Sequence, residues 1–143
     1  MTRFEITILG CGSAMPTTLH NPSSQLVNVN EKLFMIDCGE GTQLQLRKYK
    51  TRINKLHSIF ISHLHGDHVF GLPGLLATLS LLGRTGDLNI YAHKDMELFL
   101  DPFIKHFGNQ FPYKINLTPL DPYQHQLIFE NNSIRVFSFP LKH

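Results

Sequence analysis

Cysteine and long apolar runs are scarce in this sequence. It has only two cysteines, Cys11 and Cys38, so no disulfide framework is indicated, and we interpret both as small buried residues of a reduced, cytoplasmic protein. No secretory signal precedes the first predicted strand. The longest apolar stretch, residues 69–82, is interrupted by glycine, proline and hydroxyl residues and falls short of the roughly 18 apolar residues of a membrane span. We therefore expect a cytoplasmic protein without a membrane segment.

The sequence also lacks a large excess of positive or negative charge. The 13 basic and 11 acidic residues give a formal net charge of +2, which is compatible with a nucleic-acid partner but does not by itself indicate one. Hydrophobic residues make up 42% of the chain and charged residues 17%, a composition typical of globular proteins. A length of 143 residues allows one modest domain with a core, but not two.

The apolar periodicities predict strands first and helices interleaved later. Phe4, Ile6 and Ile8 alternate with polar residues or threonine and predict a strand whose buried face they form. A helix over 42–49 is predicted to be capped by the Thr42 hydroxyl. The other predicted helices are 72–82 and 94–107, and the other predicted strands are 24–29, 33–36, 57–62, 88–91, 113–117, 127–130 and 134–139. This order predicts one α/β unit over residues 1–143.

Histidines and an aspartate are concentrated directly after one predicted buried strand. His63, His65, Asp67 and His68 fall within six residues, and imidazole and carboxylate are ligands that zinc and similar divalent ions favour. The end of a strand holds the backbone rigidly, and Gly66 allows a turn tight enough for the side chains to converge. The pattern therefore predicts a metal site.

The spacing leaves the number of metal ions open. On a regular strand, His63 and His65 would share a face that His68 does not. A loop that curls back would instead serve two ions, with His63 and His65 on one and Asp67 and His68 on the other. A loop that is merely polar surface is the weaker interpretation of so dense a cluster. Isolated histidines are interpreted as solvent-facing or hydrogen-bonded side chains, namely His93, His106 and His125.

Residues 59–68, Ile-Phe-Ile-Ser-His-Leu-His-Gly-Asp-His, resemble the signature motif of the metallo-β-lactamase superfamily. Asp37 matches its first acidic position, where the carboxylate orients the metal loop, and His143 matches the histidine of its third motif. The resemblance implies an α/β fold, half of an αββα sandwich with a mixed sheet and helices on one face. It also implies two zinc ions, the first held by His63, His65 and His143 and the second by Asp67 and His68.

Further stretches are similar to the ribonuclease Z family in particular. They are the first loop (residues 9–25), the segment Asp-Cys-Gly-Glu-Gly-Thr-Gln (37–43), the segment after the histidine motif (68–76) and the last four residues (140–143). This resemblance implies a cytoplasmic, homodimeric endoribonuclease that removes the 3′ trailer from precursor tRNA by two-metal phosphodiester hydrolysis. It gives Asp67 the role of proton acceptor.

The pattern of that family continues beyond His143, with an acidic residue that bridges both metals, a further histidine and an arm that holds the tRNA. Asp101, Asp121 and Glu130 do not follow strand ends in a way that would substitute. We therefore interpret residues 1–143 as the amino-terminal half of the domain, with the second half absent. Two zinc ions are expected per complete subunit, and the activity of these residues alone is left open.

Two other functions remain open. One is a different hydrolase of the same fold, namely a small-molecule phosphodiesterase, a thioesterase or a lactamase. The other is a non-catalytic, metal-binding fragment that acts by association. Five basic residues between positions 47 and 55 fit either contacts with phosphates or a solvated surface at a helix end, where cations suit the dipole.

Overall fold

A computed structural model describes residues 2–142. Six strands form one mixed sheet in the order of the sequence. Strands β1, β2 and β3 are paired antiparallel, whereas β3 to β6 run parallel. The strands are β1 (Phe4–Gly10), β2 (Ser24–Val29), β3 (Lys32–Ile36), β4 (Leu56–Phe60), β5 (Leu88–His93) and β6 (Ile115–Leu120), and a separate antiparallel hairpin is formed by β7 (Gln126–Glu130) and β8 (Arg135–Ser138). The predicted mixed α/β class is confirmed.

The helices cover one face of the sheet. They are α1 (Thr42–Lys48), α2 (Gly66–Val69), α3 (Leu72–Leu81) and α4 (Met96–Phe107). Apolar side chains of α1, α3 and α4 join those of β2 to β5 in one buried cluster that includes Leu46, Leu76, Leu100, Met35 and Ile90. None of the helices between residues 2 and 142 has the length and apolar character needed to cross a membrane.

The opposite face of the sheet carries a second, smaller apolar cluster. Phe34 and Phe60 are buried there beneath the β7–β8 hairpin, which contributes Phe129 and Val136. The ring centroids of Phe34 and Phe129 lie 5.4 Å apart. The hairpin therefore covers the middle of this face.

Strand β1 differs from the prediction in the exposure of its apolar side chains. Phe4, Ile6 and Ile8 are 59%, 58% and 51% exposed. β1 lies at the edge of the sheet, beyond the β7–β8 hairpin that covers the middle of this face, and residues 2–142 leave its apolar side chains largely uncovered. The alternation correctly predicts a strand with one apolar face, but it carries no information on what covers that face.

The start of helix α1 also differs from the prediction. The N-cap is Gly41, with φ +82°, and no side chain caps the helix. The Thr42 hydroxyl instead donates a 2.7 Å hydrogen bond to the carbonyl oxygen of Gly39, which ties the helix to the loop before it. The turn between β2 and β3 lies where it was predicted. Asn30 and Glu31 both have positive φ there, as primed two-residue turns require.

Two leucines of α3 test which side of this helix faces the core. Leu76 is fully buried, whereas Leu81 is 87% exposed. Leu76→Ala should lower the free energy of unfolding by about 2–5 kcal/mol because it leaves a cavity. Leu81→Ala, the matched control, should change it by less than about 0.5 kcal/mol. Urea denaturation measures both, and an equal decrease in both variants would contradict the observed orientation of the helix.

Candidate metal centre

Three loops meet at one edge of the sheet. They follow β1 (residues 11–23), β3 (37–41) and β4 (61–65). Because β1 runs in the same direction as β3 and β4, all three loops leave the sheet at its carboxyl edge, where α/β proteins place their ligand sites. The predicted ligands His63, His65, Asp67 and His68 lie in the third loop and in α2, which follows it.

Two glycines allow these loops to approach one another closely. A Cβ atom on Gly71 would lie 2.1 Å from the carbonyl oxygen of Gly39, and one on Gly39 would lie 2.6 Å from that of Asp67. The Cys38 N–H donates to the His68 carbonyl at 2.8 Å, and the Gly71 N–H donates to the Cys38 carbonyl at 2.9 Å. A side chain at either glycine would force the second loop away from α2 and the residues that follow it, and so away from the third loop, which leads into α2.

Asp37 is the centre of a polar network beneath the histidines. Its side chain is buried and its backbone is in the left-handed region, with φ +60°. Oδ1 accepts a hydrogen bond from the Ser62 N–H at 2.8 Å, and Oδ2 accepts from the hydroxyls of Ser23 at 2.9 Å and Ser62 at 3.0 Å. A buried carboxylate requires donors of this kind.

His68 connects Asp37 with Asp67. The Nδ1 atom of His68 lies 2.6 Å from Oδ2 of Asp37, and its Nε2 atom lies 3.5 Å from Oδ2 of Asp67. With a proton on Nδ1 donated to Asp37, the lone pair of Nε2 is directed to the side where Asp67 lies. A carboxylate–imidazole pair of this kind fixes the tautomer and orientation of metal-ligating histidines.

The rings of His63 and His65 stand beside His68. The ring centroids of His63 and His68 are 4.0 Å apart, and those of His63 and His65 are 4.6 Å apart. The hydroxyl oxygen of Ser62 lies 3.2 Å from Nδ1 of both His63 and His68. Three of the four predicted histidine ligands are thus together, and the fourth, His143, lies outside the described residues.

Asp67 is held by the first loop. The backbone N–H of Ala14, a residue with φ +60°, donates a 2.9 Å hydrogen bond to Oδ2 of Asp67. This bond stabilises the ionised carboxylate and, together with the nearby His68, lowers the pKa of Asp67. A lowered pKa suits a metal ligand, which binds in its deprotonated form, and it makes the carboxylate a weaker proton acceptor.

The side chains fit a divalent metal ion in their chemistry, although their ligand atoms do not converge on one point. No group of three or more His, Cys, Asp or Glu side chains within residues 2–142 is arranged to hold a metal ion. Oδ2 of Asp67 faces the Ala14 amide, with Nε2 of His68 3.5 Å away. The donor types are nevertheless those of zinc sites, and one imidazole is already oriented by a buried carboxylate.

Three contributors to this site were missed by the sequence analysis: the hydroxyls of Ser23 and Ser62 and the amide of Ala14. Ser62 directly precedes the histidine motif, so a hydroxyl at that position was a usable signal. Ser23 and Ala14 lie 14 and 53 positions from the carboxylates that they contact. Local sequence patterns cannot predict contacts between residues that lie so far apart in the sequence.

Other candidate residues lie away from this edge or have other roles. His57, in β4, packs against Phe34 and Phe129, and its burial lowers its pKa. Both cysteines are free, but only Cys38 is buried, whereas Cys11 is exposed, contrary to the prediction. Cys11 lies in an open loop that follows the edge strand β1. Burial raises the pKa of Cys38 to about 12, which makes it an unreactive thiol.

The support that Asp37 gives to His68 can be tested through metal affinity. Asp37→Asn keeps the size of the side chain but removes the charge that holds Nδ1 of His68, so the affinity for a divalent metal ion, with zinc as the probe, should fall about 10- to 100-fold. Competition with a chelating dye measures this on protein expressed from the complete gene. Ser133→Ala, in the β7–β8 turn, is the control. An Asp37→Asn variant that is folded by circular dichroism and binds zinc normally would contradict this role.

Comparison with known proteins places the chain in a family. Residues 4–104 match the family model described as "Anti-Pycsar protein Apyc1". Over all 143 residues the chain is 52% identical to "Ribonuclease Z" of Parabacteroides distasonis, covering 47% of that protein. It is also 54% identical to "Ribonuclease Z" of Azobacteroides pseudotrichonymphae, covering 50%. The chain thus spans about half the length of the curated relatives that it matches.

Solved structures agree on the fold. Human tRNase Z, short form, has a TM-score of 0.85 and 29% identity over 94% of this chain and 59% of that one. The metallo-β-lactamase fold protein YhfI of Bacillus subtilis, at 22% identity over 87% of this chain and 48% of that one, has a TM-score of 0.65 and bears on the fold alone. The resemblances identified in the sequence are confirmed. The chain belongs to the family described as anti-Pycsar protein Apyc1, has the metallo-β-lactamase fold, and is similar over its whole length to ribonuclease Z.

Proposed function

We propose that this chain forms the amino-terminal, metal-binding half of a ribonuclease Z-type endoribonuclease that removes the 3′ trailer from precursor tRNA. The observation that carries the proposal is the identity of about 50% to proteins named ribonuclease Z, which extends over all 143 residues. Because the match extends over all 143 residues, it includes the three loops that meet at the carboxyl edge of the sheet. The structural similarity to human tRNase Z supports the same function.

The metal ions of this proposal are two zinc ions in the complete subunit. His63, His65 and His143 would hold the first, and Asp67 and His68 would hold the second. When bound, such a pair supplies a water activated near neutral pH and positive charge beside the phosphodiester. The arrangement of His68 between two carboxylates supports its assignment as a ligand.

The chain's own groups prepare these ligands. Asp37 accepts a hydrogen bond from the Nδ1–H of His68 and so keeps the Nε2 lone pair available for a metal ion. The Ala14 N–H holds Asp67 in its ionised form, which supports its role as a ligand. The role of Asp67 as the proton acceptor remains part of the proposal, and the same hydrogen bond makes it a weaker base than an ordinary carboxylate.

The partners proposed are precursor tRNA and a second copy of the protein. The exposed apolar face of β1 supports the view that residues 1–143 are half of an αββα sandwich, because an uncovered apolar face of a sheet normally packs against another layer. A homodimer is proposed from the resemblance to ribonuclease Z.

A second candidate is a hydrolase of the same fold that acts on a small phosphodiester. It is favoured by the family model that matches residues 4–104, whose description names an anti-Pycsar protein rather than a ribonuclease. The two candidates share the metal centre and differ in the substrate. Cleavage of a small phosphodiester without any cleavage of precursor tRNA, by protein from the complete gene, would favour the second.

The ligand assignment is tested by His65→Ala. This variant removes an imidazole of the proposed first zinc site and should abolish tight zinc binding there and cleavage of precursor tRNA. His106→Ala, at an exposed position on α4, is the matched control and should keep both. Metal content by plasma mass spectrometry and trailer release on gels are the measurements. Unchanged zinc stoichiometry in the His65→Ala protein would overturn the assignment.

The number of metal ions and the size of the native protein can be measured together. Intact mass and metal content of protein from the native gene should give a mass near twice the 16.4 kDa of this chain. About two zinc ions per subunit are expected, as the two-metal mechanism requires. A mass near that of this chain with one metal ion or none would remove the support for the catalytic proposal.

A further inference from the structure

We propose that an exposed basic surface beyond helix α1, formed by Arg47, Lys48, Lys50 and Arg52, binds the phosphate backbone of the double-stranded stem of an RNA substrate. The inference rests on the proposed function, because that function supplies an RNA whose scissile phosphate lies at the metal centre. All four side chains are exposed. They bind backbone phosphates and take no part in the chemical step.

Helix α1 leads from the candidate metal centre to this surface. Its first residue, Thr42, is hydrogen bonded to Gly39, whose backbone is packed against that of Asp67. Seven residues of helix advance about 10 Å, and Arg47 and Lys48 stand at its far end. A stem whose end is held at the metal centre therefore has to extend only a short distance along α1 to reach the cations.

The positive charge of the surface is not neutralised within the described part of the chain. The sequence has no Asp or Glu between Glu40 and Asp67. Among residues 2–142, none of the four side chains takes part in an ion pair, whereas the neighbouring Lys55 lies 3.9 Å from a carboxylate oxygen of Glu31. Tyr49, between Lys48 and Lys50, is 52% exposed and adds a hydroxyl donor for a phosphate oxygen.

The helix dipole explains only part of this cluster. Arg47 and Lys48 occupy the last turn of α1, where cations are favoured by the dipole. Lys50 and Arg52 lie beyond the helix. Lys50 adopts φ +53°, and its N–H donates to the Arg47 carbonyl at 2.9 Å, a helix-terminating position that normally selects glycine or asparagine. The backbone conformation at this position favours glycine or asparagine, so it does not explain why the residue is a lysine.

Double-stranded RNA is the partner whose chemistry fits such a surface. Proteins recognise RNA stems by their shape and by their phosphates and 2′-hydroxyls, with little dependence on sequence. The four exposed cations lie at the end of a helix and in the turn after it. They contact several phosphates of a backbone and need no pocket to do so. Binding of this kind weakens steeply as salt concentration rises.

The experiment compares two fourfold variants of the protein expressed from the complete gene. In the first, Arg47, Lys48, Lys50 and Arg52 are replaced by glutamine. In the matched control, four exposed cations elsewhere, Lys94, Lys105, Lys114 and Arg135, are replaced by glutamine, so the change in net charge is the same. The measurements are Kd for precursor tRNA over a range of salt concentrations, zinc content, and hydrolysis of bis(p-nitrophenyl) phosphate.

The first variant should bind precursor tRNA at least about tenfold more weakly, and the slope of log Kd against log salt should fall by about one for each phosphate that the protein no longer binds. Zinc content and hydrolysis of the small phosphodiester should stay unchanged, and the control should bind precursor tRNA like the parent protein. Equal weakening in both variants, or an unchanged salt slope in the first, would overturn the inference. A parent protein that binds precursor tRNA without cleaving it would instead refute the proposed function, and the comparison of the variants would still decide this inference.

Discussion

The buried carboxylate of Asp37 is the constraint around which the carboxyl edge of the sheet is organised. It accepts hydrogen bonds from Ser23 in the first loop, from Ser62 in the loop after β4, and from the imidazole of His68 in α2. A carboxylate in this position without such partners would be destabilising by several kcal/mol, so the three segments are held together by the need to satisfy one charge. The absence of side chains at Gly39 and Gly71 allows the backbones of these segments to lie as close together as these hydrogen bonds require.

Much of this could be predicted from the sequence, because the informative patterns are local. The strand over Ser24–Val29 was predicted with its observed bounds, and the helix with Pro73 in its first turn and Gly83 after its end differs by one residue. The histidine motif identified the loop where three imidazoles meet. The contacts that could not be predicted are those between distant segments, such as the Ala14 amide on Asp67. The exposure of Phe4, Ile6 and Ile8 could not be predicted either, because the alternation of a strand is the same whether its apolar face is covered or open.

The match to the anti-Pycsar family model and the similarity to ribonuclease Z are compatible in physical terms. The family match ends at residue 104, so it includes His63, His65, Asp67, His68 and the supporting carboxylate of Asp37, whereas the proposed ligand His143 lies beyond it. The described part of the centre therefore lies within the segment that matches the family model, and the two functions proposed above share it. The choice of substrate therefore depends on the surfaces around the centre. Proteins that share a fold differ in function through the sites that each adds to that fold.

Strand β1 combines an apolar face with a position at the edge of the sheet. A strand of this kind is a template on which another chain can add its own strand, and natural proteins normally cover or charge such edges against aggregation. Here the only charged side chains on β1 and the residue before it are Arg3 and Glu5, which pair with each other and so offer little net repulsion. In a preparation of these 143 residues, β1 is consequently a site at which we expect chains to associate through added strands.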